Sequence, residues 1–246
     1  MRWVHLAAQQ ADGAKSIPFS RATGKLEDFL AMDIAHRAQE VVANLPRDML
    51  ARSAASLLLK DSRSGYAIEG ERLPLDRAQR WGRATGEAGR RPMQLDELLR
   101  LQAMVIGDAR FVHLGLREVG GFVGAHDRDS RLPIPDQISA RPQDLRSLVD
   151  GMVAFDHGAA LKLDAVIAAA VLAFGFVYAQ PFADGNGRIH RFLINHVLAQ
   201  RGFNPAGVVF PVSAVILARI DEYRATLQGY SRRLLPLIAW GANGGR

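Results

Sequence analysis

The run Ala165-Val-Ile-Ala-Ala-Ala-Val-Leu-Ala-Phe-Gly-Phe-Val-Tyr-Ala179 contains no charged residue, and it constrains the fold more than any other stretch of the chain. It falls short of the ~20 apolar residues that a membrane-crossing helix requires, and Lys162 and Asp164 precede it closely. A buried helix over 161–179 is therefore expected. Its alanines let neighbouring helices approach on several sides, which suits the centre of a helical bundle. The helix must stop at Gln180, because the residue before Pro181 is pushed out of the helical region.

The next twelve residues are chemically dense: Gln180-Pro-Phe-Ala-Asp-Gly-Asn-Gly-Arg-Ile-His-Arg191. Gly185 and Gly187 let the backbone turn tightly and aim successive N–H groups into one small volume at the positive end of the next helix. That is an anion site. Arg188 and Arg191 lie three apart on one helix face, so both guanidinium groups can reach phosphate oxygens held over the loop. Asp184 is placed to hold a divalent cation, since magnesium needs only one or two carboxylates beside substrate phosphates. A plain turn with solvated arginines would give no reason for this conjunction of Pro181, Phe182, an acid, two glycines, an Asn and two spaced arginines.

This stretch resembles the signature of the Fic (filamentation induced by cAMP) family, His-x-Phe-x-Asp/Glu-Gly-Asn-Gly-Arg-x-x-Arg, at every defined position except the first, where Gln180 stands in place of His. The resemblance implies an AMP transferase acting with ATP and magnesium on a Ser, Thr or Tyr hydroxyl of a target protein. By physical role, Asn186 with the amides of Gly185 and Gly187 would hold the α-phosphate, Asp184 the metal, and Arg188 and Arg191 the departing β- and γ-phosphates. Phe182 would anchor the loop in the core. In the family the signature His takes the proton of the attacking hydroxyl. Gln180 cannot do so: its amide can orient a hydroxyl but has no useful basicity near neutral pH. Two further readings stand beside the impaired transferase: a nucleotide-binding pseudoenzyme that signals by conformation, and a transferase using another phosphate-linked donor. His190 and His196, ten or more positions beyond Gln180 on a helix, are expected to face elsewhere.

The resemblance also singles out Tyr66-Ala-Ile-Glu-Gly70. Family members with an N-terminal inhibitory helix carry Ser/Thr-x-x-x-Glu-Gly/Asn, in which the Glu pairs with the second signature arginine and blocks the γ-phosphate position. Here the pair would be Glu69 and Arg191. The expected hydroxyl position is Gly65, with Ser64 adjacent. Arg117-Glu-Val-Gly-Gly-Phe-Val-Gly124 resembles the family's flap, which positions the target segment, and Val119, Gly120, Gly121 and Phe122 are its candidate contacts. A glycine-rich hairpin edge can accept an extended peptide as an added strand.

Composition narrows the field. At 246 residues with 48% apolar content, the chain can build a substantial core. Cysteine is absent, which excludes disulfides, thiolate metal sites and thiol nucleophiles and fits a reducing, cytoplasmic setting. The N-terminus is too short in apolar run for a secretory signal, and the seven histidines show no metal-ligand spacing. Net charge is +6, and only four of the 31 basic residues are lysines, leaving 27 arginines. The densest group, Arg72 to Arg91, is interleaved with Asp76 and Glu87, with Asp96 and Glu97 following, and reads as a solvated face. Neither nucleic acid nor membrane is an expected partner, and a homodimer stays open.

The remaining pattern predicts helices. Residues 1–27 read as an irregular lead-in, with helical periodicity from Leu26 to Val42 and a second helix over 46–60. A short helix begins at Pro74, glycines 82, 86 and 89 mark a loop, and a clear helix covers 94–106. A hairpin lies within 112–135, and Pro133 to Gln137 close an irregular segment. Further helices are expected over 142–155, 188–200, 210–229 and 231–240. No strand–helix alternation supports a parallel sheet. The expected architecture is all-α with a small β-hairpin flap: an N-terminal helical region over 1–92 carrying the inhibitory segment, a core over 93–240 and a tail over 241–246.

Overall fold

The structure, a computed structural model, describes residues 24–44, 46–71, 75–107, 112–204 and 208–241. Most of the expected lead-in, the helix start at Pro74 and most of the tail lie outside the described residues. The fold is helical with one two-stranded antiparallel sheet. Two short helices, α1 (Gly24–Ala31) and α2 (Ile34–Ala43), precede the long α3 (Arg47–Ile68), and α4 (Leu75–Gly86) and α5 (Leu95–Ile106) come next. The hairpin is β1 (Phe122–His126) with β2 (Pro133–Ile138), and α6 (Leu145–His157), α7 (Ala165–Ala179) and α8 (Asn186–Gln200) form the centre. The chain continues through α9 (Val212–Ala218) and α10 (Ile220–Leu234).

The apolar run becomes α7 and sits in the core, as its composition requires. Asp164 caps it, accepting hydrogen bonds from the Val166 and Ile167 amides at 2.8 and 3.3 Å. Leu172 and Phe176 of α7 are buried with Ile189, Phe192, Leu193 and Val197 of α8, Leu98, Leu101 and Val105 of α5 and Val149 of α6. This apolar block fixes the short link between α7 and α8, and hence residues 180–185. No helix among the described residues is long and apolar enough to cross a membrane.

Several expectations are corrected by packing. The helix expected over 46–60 runs on to Ile68, through Gly65. Glycine's weak helix propensity does not end the helix there; the position is packed, and a Cβ would be in ordinary contact with Ser213 Oγ at 3.5 Å and an Arg191 nitrogen at 3.8 Å. Gly82 sits inside α4 instead of opening a loop, packed against α3, where a Cβ would be in ordinary contact with the Leu58 carbonyl at 3.5 Å. Pro133 to Gln137, expected to be irregular, belong to β2, which pairs Ala125 with Ile134 and Gly124 with Pro135. The helix expected over 210–229 breaks at Arg219, and α10 continues past Ser231 to Leu234, leaving only a 3-10 turn over Leu235–Leu237 of the last expected helix. Residues 142–144 form a 3-10 turn before α6, and a second such turn, Ala159–Lys162, occupies the start of the helix expected from 161.

Candidate functional site

The link between α7 and α8 is stapled to itself. Gln180 ends α7 in a left-handed conformation, φ 49° and ψ 61°, which a non-glycine residue adopts only when its surroundings hold it there. Its carbonyl accepts from Arg117 Nε at 2.6 Å. Pro181 forbids further helix, and its carbonyl accepts the Arg117 amide at 2.9 Å. Phe182 is buried edge-to-face on Phe176, with ring centroids 6.0 Å apart. The Asn186 carboxamide then closes the loop: its Oδ1 accepts the Phe182 amide at 3.0 Å and its Nδ2 donates to the Phe182 carbonyl at 2.7 Å. Gly185, at φ 90°, caps α8 against Val105, whose Cγ1 would be 3.2 Å from a Cβ there. Asp184 Oδ1 accepts the Gly185 amide at 2.5 Å.

Two of the expected site side chains are engaged by the loop itself. Both ends of the Asn186 carboxamide bond to Phe182. The Gln180 side chain turns back on its own helix, Nε2 donating to the Val177 carbonyl at 2.9 Å, because the left-handed backbone points it at the free carbonyls of the last turn.

The arginines face acids. Arg191 is buried, and its Nη2 donates to Glu69 Oε1 and to the Gly65 carbonyl, each at 2.9 Å. Glu69 lies over Gly187, so that any Cβ at 187 would run into its carboxylate. The structure thus brings together Glu69, Gly187 and Arg191 from two distant stretches. Arg188, also buried, donates to Glu71 and lies 3.4 Å from Asp184 Oδ1, while the Tyr66 ring covers its face with Cζ 4.6 Å from the centroid. Arg188 Nε and Arg191 Nε are buried without a hydrogen-bond partner among the described residues. An anion is the natural complement of such a place. The Asp184 side chain is 48% exposed, so its carboxylate suits a magnesium ion shared with phosphates. No group of three or more His, Cys, Asp or Glu side chains able to hold a metal occurs among the described residues.

Three features had no usable signal in the sequence. Asp61, buried in α3, accepts from the Ser213 amide at 2.6 Å, the Ser213 hydroxyl at 3.1 Å and the Ala214 amide at 3.4 Å, and so caps α9 from 152 residues away. Burial raises its pKa, and the Ser213 and Ala214 bonds and the Arg191 charge act against that. Arg117 donates to the carbonyls of Gln180, Val119 at 2.7 Å, Ala179 at 3.3 Å and Ala140, tying the flap base to the end of α7. Burial lowers its pKa. Glu71 is a third, for its pairing with Arg188 depends on how α3 ends.

The flap residues differ from the loop in every respect. Val119 is 72% exposed, and Gly120 and Gly121 are exposed and half-buried. Phe122 opens β1 and meets His126 edge-on at 5.2 Å. His190 and His196 face away from Gln180: His190 Nδ1 bonds to the Ala173 carbonyl at 2.8 Å, and His196 Nδ1 accepts the Gly89 amide at 3.2 Å. Burial lowers both imidazoles to about 4, so they are neutral at pH 7.

Residues 92–198 match the Fic/DOC family. The chain is similar to the protein adenylyltransferase fic-1 of Caenorhabditis elegans, 30% identical over 121 residues that cover 49% of this chain and 22% of that protein. It is likewise similar to the protein adenylyltransferase Fic of Nematostella vectensis, 27% identical over 144 residues, 57% of this chain and 31% of that one. The chain therefore spans less than a third of the length of these curated relatives. Its fold is similar to that of a Fic family protein from Desulfovibrio desulfuricans G20, with a TM-score of 0.67 at 20% identity, covering 89% of this chain and 70% of the other.

Proposed function

We propose, because residues 92–198 match the Fic/DOC family, that the chain binds the phosphates of ATP at the N-terminus of α8 and has the framework of a protein adenylyltransferase, impaired at Gln180. One observation carries the reading: a carboxylate, that of Glu69, rests over Gly187 in an ion pair with buried Arg191. A place that draws in the chain's own anion is one that a phosphate can take over. The amides at the start of α8, Arg188 and Arg191 would hold the phosphates, with Asn186 and Phe182 keeping the cradle in shape. Asp184 would hold magnesium, which would offset the charge of the phosphates.

In the transfer, a target hydroxyl oxygen bonds to the α-phosphorus, the bond from that phosphorus to the bridging β-phosphate oxygen breaks, and pyrophosphate leaves. The hydroxyl proton needs an acceptor. Gln180 offers none, and its Nε2 is already bonded to the Val177 carbonyl, so the step loses the ~10²–10⁴-fold that a general base supplies. Charge stabilisation by the arginines is retained. The flap, from Val119 to Phe122 and on into β1, would receive the target segment as an added strand. A pseudoenzyme reading is favoured by the same Gln180 contact: the cradle binds nucleotide and the chain signals by conformation.

A Gln180→His, Glu69→Gly double variant tests this. His supplies a proton acceptor of near-neutral pKa, and removing Glu69 frees Arg191. AMP should appear on the variant itself by mass spectrometry after incubation with ATP and magnesium, well above the level in Glu69→Gly alone. ATP binding without any AMP adduct would leave the pseudoenzyme reading in its place.

A further inference from the structure

Glu69, Gly70 and Glu71 form the end of α3. Glu69 is the C-cap, Gly70 comes next at φ 74°, and the Gly70 and Glu71 amides donate to the carbonyls of Ala67 and Tyr66 at 3.1 and 3.0 Å. This is a Schellman closure, which needs the left-handed glycine between the two acids. The closure turns the chain back over Tyr66, so that the acids on either side of Gly70 reach different arginines. Glu69 meets Arg191. Glu71 meets Arg188 in a two-point fork, Oε1 3.2 Å from Nη2 and Oε2 3.4 Å from Nη1.

We propose that Glu71 is a second residue setting the anion affinity of the site, acting on Arg188 as Glu69 acts on Arg191. This rests on the nucleotide-binding function proposed for the cradle. The two partners are unequal: Arg188 is 3% exposed and held by Tyr66 and Asp184, whereas Glu71 is 42% exposed. The arginine is frame and the acid is the part that leaves. A departing Glu71 carboxylate regains water at once, but a buried guanidinium that loses it needs another anion beside Asp184. Exchange of Glu71 for a phosphate meets both needs. A polyphosphate chain can replace both acids together, so freeing Arg191 alone leaves half of the competition in force.

Glu71→Gln keeps the side-chain shape and removes the charge, and Glu69→Gln does the same for its partner. Calorimetry with ATP and with inorganic tripolyphosphate at low salt should give about 3-fold tighter binding for Glu71→Gln, on the scale of a half-exposed ion pair. The gain should multiply with that of Glu69→Gln, shrink at 0.5 M salt as exposed charges are screened, and vanish in an Arg188→Met background. A gain for Glu69→Gln with none for Glu71→Gln overturns the role of Glu71 and leaves the nucleotide-binding function standing. A gain from Glu71→Gln that persists in Arg188→Met also overturns it, since the effect then bypasses Arg188. No measurable binding of either ligand to the double Gln variant overturns both.

Discussion

The loop over 180–191 and the flap over 117–138 adjoin each other through Arg117, and they are built on opposite plans. In the loop, Phe182, Asn186, Arg188 and Arg191 are buried, and the Asn186 carboxamide is bound at both ends by its own loop. In the flap, Val119, Val123, Leu132 and Ile134 are exposed, and two strands bulged between Val123 and Gly124 make the whole sheet. A two-stranded ribbon has little stability of its own. The proposed roles fit this contrast: a fixed array of donors suits a ligand of constant shape, and an exposed ribbon suits a segment of variable sequence. Adaptability is confined to the part that carries little of the core.

Acid gives the largest expected effect, and it should strike the loop's side of this contrast. His190 and His196 of α8 are lowered to about 4 from 6.5 chiefly by burial. A depressed folded pKa contributes stability that is fully present above 6.5 and is lost as pH falls toward 4, because the unfolded chain takes up the proton first. Each histidine should cost about 3 kcal/mol over that window. Asp61 and Asp156, whose pKa values burial raises, oppose part of the loss at its lower end. Urea unfolding at pH 7, 6 and 5 should show stability falling, and a His196→Gln variant, which keeps an acceptor for Gly89, should flatten the curve. A parent protein equally stable at pH 7 and pH 5 would show that this helix is not the dry interior that the contrast requires.

What the sequence makes legible divides along the same line. The loop is readable because its parts are contiguous: Pro181, Phe182, Gly185, Gly187, Arg188 and Arg191 fall within twelve residues, so local turn and helix geometry relate them. The apolar run of α7 dictates its own burial for the same reason. The side-chain directions of Gln180 and Asn186 are not readable, since they depend on which backbone groups the turn leaves free. Gly82 has the look of a break, yet it stands inside a helix packed on its neighbour. Asp61 on Ser213 and Arg117 on Ala140 and Gln180 join segments that no local period connects.

Arg117 is the joint between the two regions, and removing it should have the next largest effect. Among the described residues its guanidinium has no carboxylate partner and instead serves carbonyls at the end of α7, at the flap base and after β2. Arg117→Met leaves those carbonyls without their donor, at about 1–3 kcal/mol for each that water cannot reach. Hydrogen exchange should quicken at residues 119–123 and at the Gln180 and Phe182 amides together, while Phe176 and Leu193 stay protected. Faster exchange in the flap alone would mean that the loop holds residue 180 without help, and would sharpen the division between the regions.

The smallest effect is expected on the flap surface. Ile134 is 55% exposed on β2, in register with Ala125. Ile134→Thr keeps the β-branched shape that a strand favours and removes apolar surface that is mostly in water already, so neither strand propensity nor burial changes much. Stability should stay within about 0.5 kcal/mol of the parent, and the exchange pattern of β1 should be unaltered. Nucleotide binding should be equal too, since Ile134 makes none of the contacts that hold the cradle. A loss above about 1 kcal/mol would mean that the flap is packed into the fold as firmly as the loop is. The contrast would then fail at its weaker side: a hairpin so tightly held could not re-pair its edge with a segment of another protein.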